Sequence, residues 1–350
     1  MNLPEPPAPT LRLRIDGEAL ASNWRALDRL SGTAATGAAI KADAYGLGVE
    51  SAAPILRAAG ARDFFVAHWS EAPALLRHVP ASEVSVLHGP LNAADAAFAI
   101  ATGVRPVINS VHQARVWVDA GGGACDLMVD TGINRLGLPP GDLGDAAIGA
   151  LQVETLMSHL ASADEDVEQN AEQLESYRDI AARFPARRRS LANSAGIGLG
   201  AGYAFDLTRP GLALYGGVPR PEMGGSIGQV VHLQAAVLQL RDLSPGDKVG
   251  YNALFTAERP VRAATVSLGY ADGFLRCWTG KWALRFGEAA LPLLGRVSMD
   301  MVVVDTSAAP ALREGDWLDV PYDLPGASAA CGLSQYELLT ALGRRFARNP

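Results

Sequence analysis

Gly37-Ala38-Ala39-Ile40-Lys41 is a short apolar run that ends on a lysine, and it is the first of eight such runs between about residues 17 and 225. The others lie near residues 64–67, 84–87, 106–108, 127–130, 155–159, 190–193 and 212–215. Ala-rich amphipathic stretches separate most neighbours, as at 18–31 and 164–184. Short β-rich runs alternating with helical patterns are the mark of repeated strand–helix units with a parallel sheet. Eight of them predict a (β/α)8 TIM-type barrel, an α/β fold. A doubly wound sheet is the competing arrangement, but it would place a GxGxxG turn after its first strand, and none is present.

After about residue 226 the texture changes to alternating apolar and polar runs broken by turns such as Ser244-Pro245-Gly246-Asp247, which predicts a mainly β C-terminal domain. The organisation expected is a flexible Pro-rich tail at 1–10, a barrel at 11–225 whose residues 11–16 can pair with the C-terminal domain, and a β-rich domain at 226–350. A last helical pattern spans 334–348, with Ser334 at its N-cap and Glu337 three residues on, a capping box.

The chain has 350 residues, 49% of them hydrophobic and 19% charged, enough for two domains with a core each. A formal charge of −7 with one short basic run, Arg187-Arg188-Arg189, argues against a nucleic-acid surface. The N-terminus has neither a basic nor an apolar signal region, and no apolar segment is long enough to span a membrane, so a cytoplasmic location is expected. Cys125, Cys277 and Cys331 form no CxxC pair and fit reduced thiols. The six histidines show no ligand spacing, and no metal is expected.

Among 30 Lys and Arg residues only three are lysines, Lys41, Lys248 and Lys281. An enzyme that holds a carbonyl cofactor on an amine needs a lysine, because a buried ammonium can lose its proton whereas a guanidinium cannot. Lys248 and Lys281 sit in turn-like sequence. Lys41 ends the first strand, and barrels place their chemistry at the C-terminal ends of strands. On its own, Lys41 reads equally as a surface lysine.

The stretch Ala39-Ile40-Lys41-Ala42-Asp43-Ala44-Tyr45-Gly46-Leu47-Gly48 resembles the cofactor-lysine motif of the alanine racemases. Further stretches resemble the family's in the same order: Asp130-Thr131-Gly132-Ile133-Asn134-Arg135-Leu136-Gly137, Met157-Ser158-His159-Leu160, Asn193-Ser194-Ala195 and Arg209-Pro210-Gly211-Leu212-Ala213-Leu214-Tyr215-Gly216. The β domain adds Gly250-Tyr251-Asn252-Ala253, Gly269-Tyr270-Ala271-Asp272-Gly273, Gly295-Arg296-Val297-Ser298-Met299-Asp300 and Tyr336-Glu337. The match covers nearly the whole chain.

The resemblance implies a pyridoxal-phosphate-dependent isomerase that interconverts L-alanine and D-alanine. Racemisation removes a hardly acidic α-proton, so the electron pair needs a sink, which pyridoxal phosphate provides when joined to Lys41 as a Schiff base. The proton leaves one face and returns on the other, which requires two acid–base groups. By resemblance these are Lys41 and Tyr251 of a partner subunit, making a homodimer with shared sites the catalytic unit. Without the motif, Tyr251 reads as an ordinary strand tyrosine. Arg209 is similar to the arginine that meets the cofactor's ring nitrogen, and His159 to the histidine that links it by hydrogen bonds to the base tyrosine. His159 is otherwise a satisfied core histidine. The phosphate donors implied are Tyr45, Ser194, Gly211, Leu212 and Tyr336. Arg135, aided by Met299, would hold the substrate carboxylate. Tyr270 and Asp300 would line the mouth of the site, though Asp300 equally fits a turn cap.

One departure stands out. Where many members of the family carry a carbamylated lysine that braces the carboxylate-binding arginine, this chain has Met128. Other readings are a racemase of broader specificity, a non-catalytic pyridoxal-phosphate carrier, which would lack the β domain, and a barrel decarboxylase of basic amino acids, whose Gly-rich phosphate signature is not seen. The roles the resemblance implies are D-alanine supply for peptidoglycan precursors or alanine breakdown.

Overall fold

A computed structural model describes residues 7–349 of the chain. It divides into two compact units, one of Glu18–Gly228 and the other of the described residues up to Gly17 together with those from Gln229 on. The barrel unit therefore begins at Glu18 rather than at 11. The cause is pairing: Leu11–Ile15 lies antiparallel to Val231–Ala235 in the β unit. Within that strand Leu11, Leu13 and Ile15 are buried and Arg12 and Arg14 exposed, the period-2 alternation of a sheet with one wet face. Of the tail expected at 1–10, residues 1–6 lie outside the described residues, and Thr10 hydrogen-bonds to Ser267 at 2.7 Å.

The barrel unit is built from eight parallel strand positions. The first is split into Ala35–Thr36 and Ala38–Ala39, and the next six are Phe64–Val66, Val84–Val86, Arg105–Ile108, Ala124–Met128, Gln152–Met157 and Arg188–Ser190, each paired with its predecessor. The eighth is Leu207–Thr208, which pairs in parallel with Ala35–Thr36. Bonds from Asp206 N–H to Arg189 O (3.0 Å), Arg209 N–H to Ala192 O (2.9 Å) and Ala39 N–H to Pro210 O (2.8 Å) complete the closure. The run at 212–215, expected as the eighth strand, is instead a buried 3-10 turn, Leu212–Tyr215. Four apolar residues in a row mark burial without specifying strand, and Pro210 has already ended the ladder by removing a donor.

Outer helices follow the 3.6-residue period. Gly17–Ser31 buries Leu20, Trp24, Leu27 and Ser31 along one stripe. The expected helix at 164–184 is observed as Gln169–Arg183, which buries Gln173, Leu174, Tyr177 and Ile180.

In the β unit the long strand Val231–Leu243 pairs on one side with Val261–Val266 and on the other with Trp317–Val320. The ring closes through Val302–Asp305, Ala289–Leu294 and Ala283–Phe286, so six strands leave no open edge. The C-terminal helix is shorter than the pattern at 334–348 suggested. The capping box of Ser334 and Glu337 forms, but the helix covers only Gln335–Thr340, and Ala347–Asn349 pairs with the N-terminal strand. Gly343, whose N–H reaches Asp272 O, and Arg345, locked onto the Asp272 carboxylate, draw the chain out of the helix.

Candidate active site

Lys41 stands directly after the first strand, whose last ladder bond runs from Ile40 N–H to Phe65 O at 2.9 Å. The next four residues, Ala42, Asp43, Ala44 and Tyr45, all have φ between 53° and 57°. A left-handed turn without glycine is unusual, since it costs about 1–2 kcal/mol per residue. Its bonds are Ala44 N–H to Ile40 O (3.0 Å), Gly46 N–H to Ala42 O (2.8 Å) and Gly48 N–H to Asp43 O (2.8 Å). Asp43 Oδ1 then accepts the Val49 N–H at 2.7 Å, at the start of the helix Val49–Ala59. Burial and the neighbouring Arg135 lower the pKa of Lys41, Arg209 lowers it further, and the Glu71 carboxylate opposes them. An amine so placed gives up its proton more readily than an exposed lysine, as a nucleophile requires.

The turn carries Tyr45 into a buried cluster. Its ring lies 4.8 Å from that of Tyr215, whose hydroxyl donates to Ala39 O at 2.9 Å. A Cβ added to Gly211 would fall 2.1 Å from Tyr45 Oη. The immediate reason for glycine at 211 is the Tyr45 hydroxyl, which needs the bare backbone beside it. Ser194 Oγ accepts the N–H groups of Gly211 (2.9 Å) and Ala213 (3.2 Å). The ends of the first, seventh and eighth strands thus bring together Tyr45, Ser194, Gly211 and Leu212.

Arg209 is buried, and its guanidinium donates to Ser190 Oγ and to the Ser158 carbonyl. Burial lowers its pKa to about 10, still charged at neutral pH, with Tyr177 and Asp126 opposing the shift. His159 is half-buried and held neutral: burial, then Arg209, Arg135 and Lys41, lower its pKa to about 3. The hydrogen bond expected between His159 and Arg209 is not formed. Two of the five N–H groups of Arg209 bond residues 158 and 190, and His159 feels the guanidinium through space.

Arg135 rides on a loop organised by Asp130. Asp130 Oδ1 accepts the N–H groups of Gly132, Ile133 and Asn134 at 2.8, 3.0 and 3.2 Å, and Val129 and Leu138 bridge the loop's base. Gln173, buried on its helix, accepts from Ala161 N–H (2.8 Å) and donates to His159 O (3.1 Å) and Thr131 Oγ1 (3.3 Å). The Arg135 side chain is exposed, and among the described residues no carboxylate pairs with it. Met128 is buried at the end of the fifth strand.

In the β unit the expected residues stand on neighbouring loops. Tyr251 is 68% exposed on a turn entered through Gly250, with Asn252 and Ala253 at positive φ, and is not a strand residue. Tyr270 N–H donates to Ser298 O and Ala271 N–H to Met299 O, both at 3.0 Å. A Cβ at Gly269 would meet Met299 O at 2.2 Å, so this contact requires glycine. Met299 is 52% exposed. Asp300 is held by Arg345, which also grips Asp272, and Arg276 lies over the Tyr270 ring at 5.2 Å. Tyr336 is exposed on the helix Gln335–Thr340.

The family model for the alanine racemase N-terminal domain matches residues 15–219, and that for the alanine racemase C-terminal domain matches 230–350. The chain belongs to the alanine racemase family. An alanine racemase of Methylobacterium nodulans is 42% identical, covering 97% of this chain and 95% of the relative. One named as biosynthetic from Agrobacterium fabrum is 39% identical, covering 97% and 93%. Among solved structures, the Bartonella henselae alanine racemase with covalently bound pyridoxal phosphate is 34% identical, with a TM-score of 0.91 over 98% of this chain and 99% of that one. Asp130, Gln173 and Glu71 were missed by sequence reading. Gln173 and Glu71 reach distant segments, at Thr131 and Ala42, that no local pattern announces, whereas Asp130 acts locally on the N–H groups two to four residues on.

Proposed function

We infer that this chain interconverts L-alanine and D-alanine with pyridoxal phosphate, using Lys41 and Tyr251 of the partner subunit as its two proton-transfer groups. The observation that carries the reading is Lys41: a partly buried amine at the end of the first barrel strand, its proton loosened by burial and by two arginines.

The barrel mouth fits the cofactor. Lys41 offers the amine, and the bare backbone at Gly211 leaves room for the Tyr45 hydroxyl, one of the expected phosphate donors. Tyr45, Ser194 and the N–H groups around Gly211 and Leu212 would hold a phosphate, with Tyr336 as a further donor. Arg209 would hold the ring nitrogen and, being charged at neutral pH, would add no negative partner to draw a proton there. When bound, the cofactor supplies the electron sink that makes the α-proton removable. Arg135 and the Met299 backbone would orient the substrate carboxylate. Lys41 would move the proton on one side and the phenol of residue 251 on the other. His159 stays neutral beside Arg209, so it neither repels that cation nor competes for the carboxylate. Tyr270 and Asp300 would narrow the mouth.

The assembly proposed is a homodimer. Tyr251, Leu254, Met299 and Met301 are all exposed on the β unit, apolar groups of the kind that a second copy covers. A cytoplasmic location fits three unpaired cysteines, and among the described residues no helix is long and apolar enough to cross a membrane.

Borohydride reduction with peptide mapping, alongside racemisation assays on Ala, Ser, Lys and Arg, tests the reading. A pyridoxyl adduct on Lys41 and preference for alanine are expected. An adduct on Lys248 or Lys281 would overturn the site, comparable rates on all four would indicate a broad racemase, and cofactor binding with no turnover a carrier.

A further inference from the structure

Ala42 is the first residue of the left-handed turn, and its N–H finds its partner outside that turn, in Glu71 Oε1 at 2.5 Å. Glu71 Oε2 accepts the N–H groups of Ala67 (2.7 Å) and His68 (3.0 Å), at the end of the second strand. One carboxylate thus ties two strand ends together. The Ala42 N–H belongs to the peptide plane that begins at the Lys41 carbonyl, so holding that N–H fixes the ψ angle of Lys41 itself. A flip of this plane would relieve the positive φ of Ala42, the first residue of the run, and it is the movement that Glu71 opposes.

We propose that Glu71 is a positioning residue: it clamps the left-handed turn and so aims Lys41 and Tyr45. This rests on the reading of Lys41 as the cofactor lysine. The residue type follows from the geometry. Only a carboxylate accepts on both oxygens, and an amide in its place would turn an NH2 group against one set of N–H donors. The negative charge also offsets Arg135 and Arg209 around the Lys41 amine. Aspartate, one methylene shorter, would not reach both strand ends.

The test is hydrogen exchange followed by mass spectrometry on cofactor-free protein, comparing the native chain with Glu71→Gln, together with titration of pyridoxal phosphate. Exchange in the segment 42–48 is expected to quicken by about tenfold, the scale of one lost charged hydrogen bond, while strands such as Ala124–Met128 keep their protection. Cofactor affinity is expected to fall by a similar factor. Adding Ala42→Gly to Glu71→Gln should recover part of that affinity, because glycine takes positive φ freely. If Glu71→Gln does not fold, Glu71→Asp is measured in the same way. Unchanged exchange at 42–48 would overturn the clamp whether or not Lys41 holds the cofactor. Faster exchange with unchanged affinity, or no rescue by Ala42→Gly, would overturn its link to the cofactor lysine.

Discussion

The barrel mouth and the loops of the β unit carry the two halves of the proposed chemistry in opposite ways. At the barrel mouth Tyr45, Ser194, Arg209, Gly211 and Leu212 are buried and interlocked, Lys41 and His159 are half-buried, and Arg135 is exposed. On the β unit Tyr251, Met299, Asp300 and Tyr336 all face outward. One half is assembled within a single chain, with second neighbours such as Gln173 and Asp130 fixing it. The other half is shaped by glycine contacts and an ion pair, and its expected reactive groups are exposed. Preorganisation and availability are divided between the units. Substitutions should therefore separate stability from turnover according to the unit they fall in.

The largest contrast is expected at Tyr251. Tyr251→Phe removes one hydroxyl from an exposed side chain, so unfolding free energy should change by less than about 0.5 kcal/mol. The loss of an acid–base group should nevertheless lower kcat by about 10²–10⁴-fold. Denaturant unfolding and racemisation rates on one preparation check both. A variant as unstable as it is slow would remove the contrast.

A smaller effect of the opposite kind is expected at Gly211. The added methyl of Gly211→Ala collides with Tyr45 Oη, and overpacking of this kind costs about 1–3 kcal/mol. Thermal unfolding should shift downward and pyridoxal phosphate should bind more weakly. Adding Tyr45→Phe, which deletes the colliding oxygen, should restore part of the stability. If Gly211→Ala leaves both quantities unchanged, the barrel cluster is looser than its contacts indicate.

Sequence reading captured what is local and periodic. Each of the first seven barrel strands overlaps an expected apolar run, the fifth to seventh starting two or three residues early, and Leu11–Ile15 pairs with the β unit. It failed where one short pattern fits two structures: Leu212–Tyr215 is as apolar as a strand yet turns after Pro210 and Gly211. The helix at the chain end was overextended because nothing near Gly343 announces the pull of Asp272, 71 residues earlier in sequence and bonded to it in space. The left-handed turn was invisible for a related reason. Ala42, Asp43, Ala44 and Tyr45 have no intrinsic preference for positive φ, and their conformation is imposed by Ile40 O, Val49 N–H and the carboxylate of Glu71.

Division of the site between copies is tested most directly by mixing two variants, Lys41→Ala and Tyr251→Phe, under conditions that allow subunits to exchange. Each is expected to be nearly inactive alone. A mixed dimer would contain one site lacking both groups and one complete site, so equal amounts should regain about one quarter of native activity: half of the dimers mixed, half of their sites intact. Activity that stays at the sum of the two variants, with exchange of subunits verified by mass, would contradict a phenol supplied by the partner.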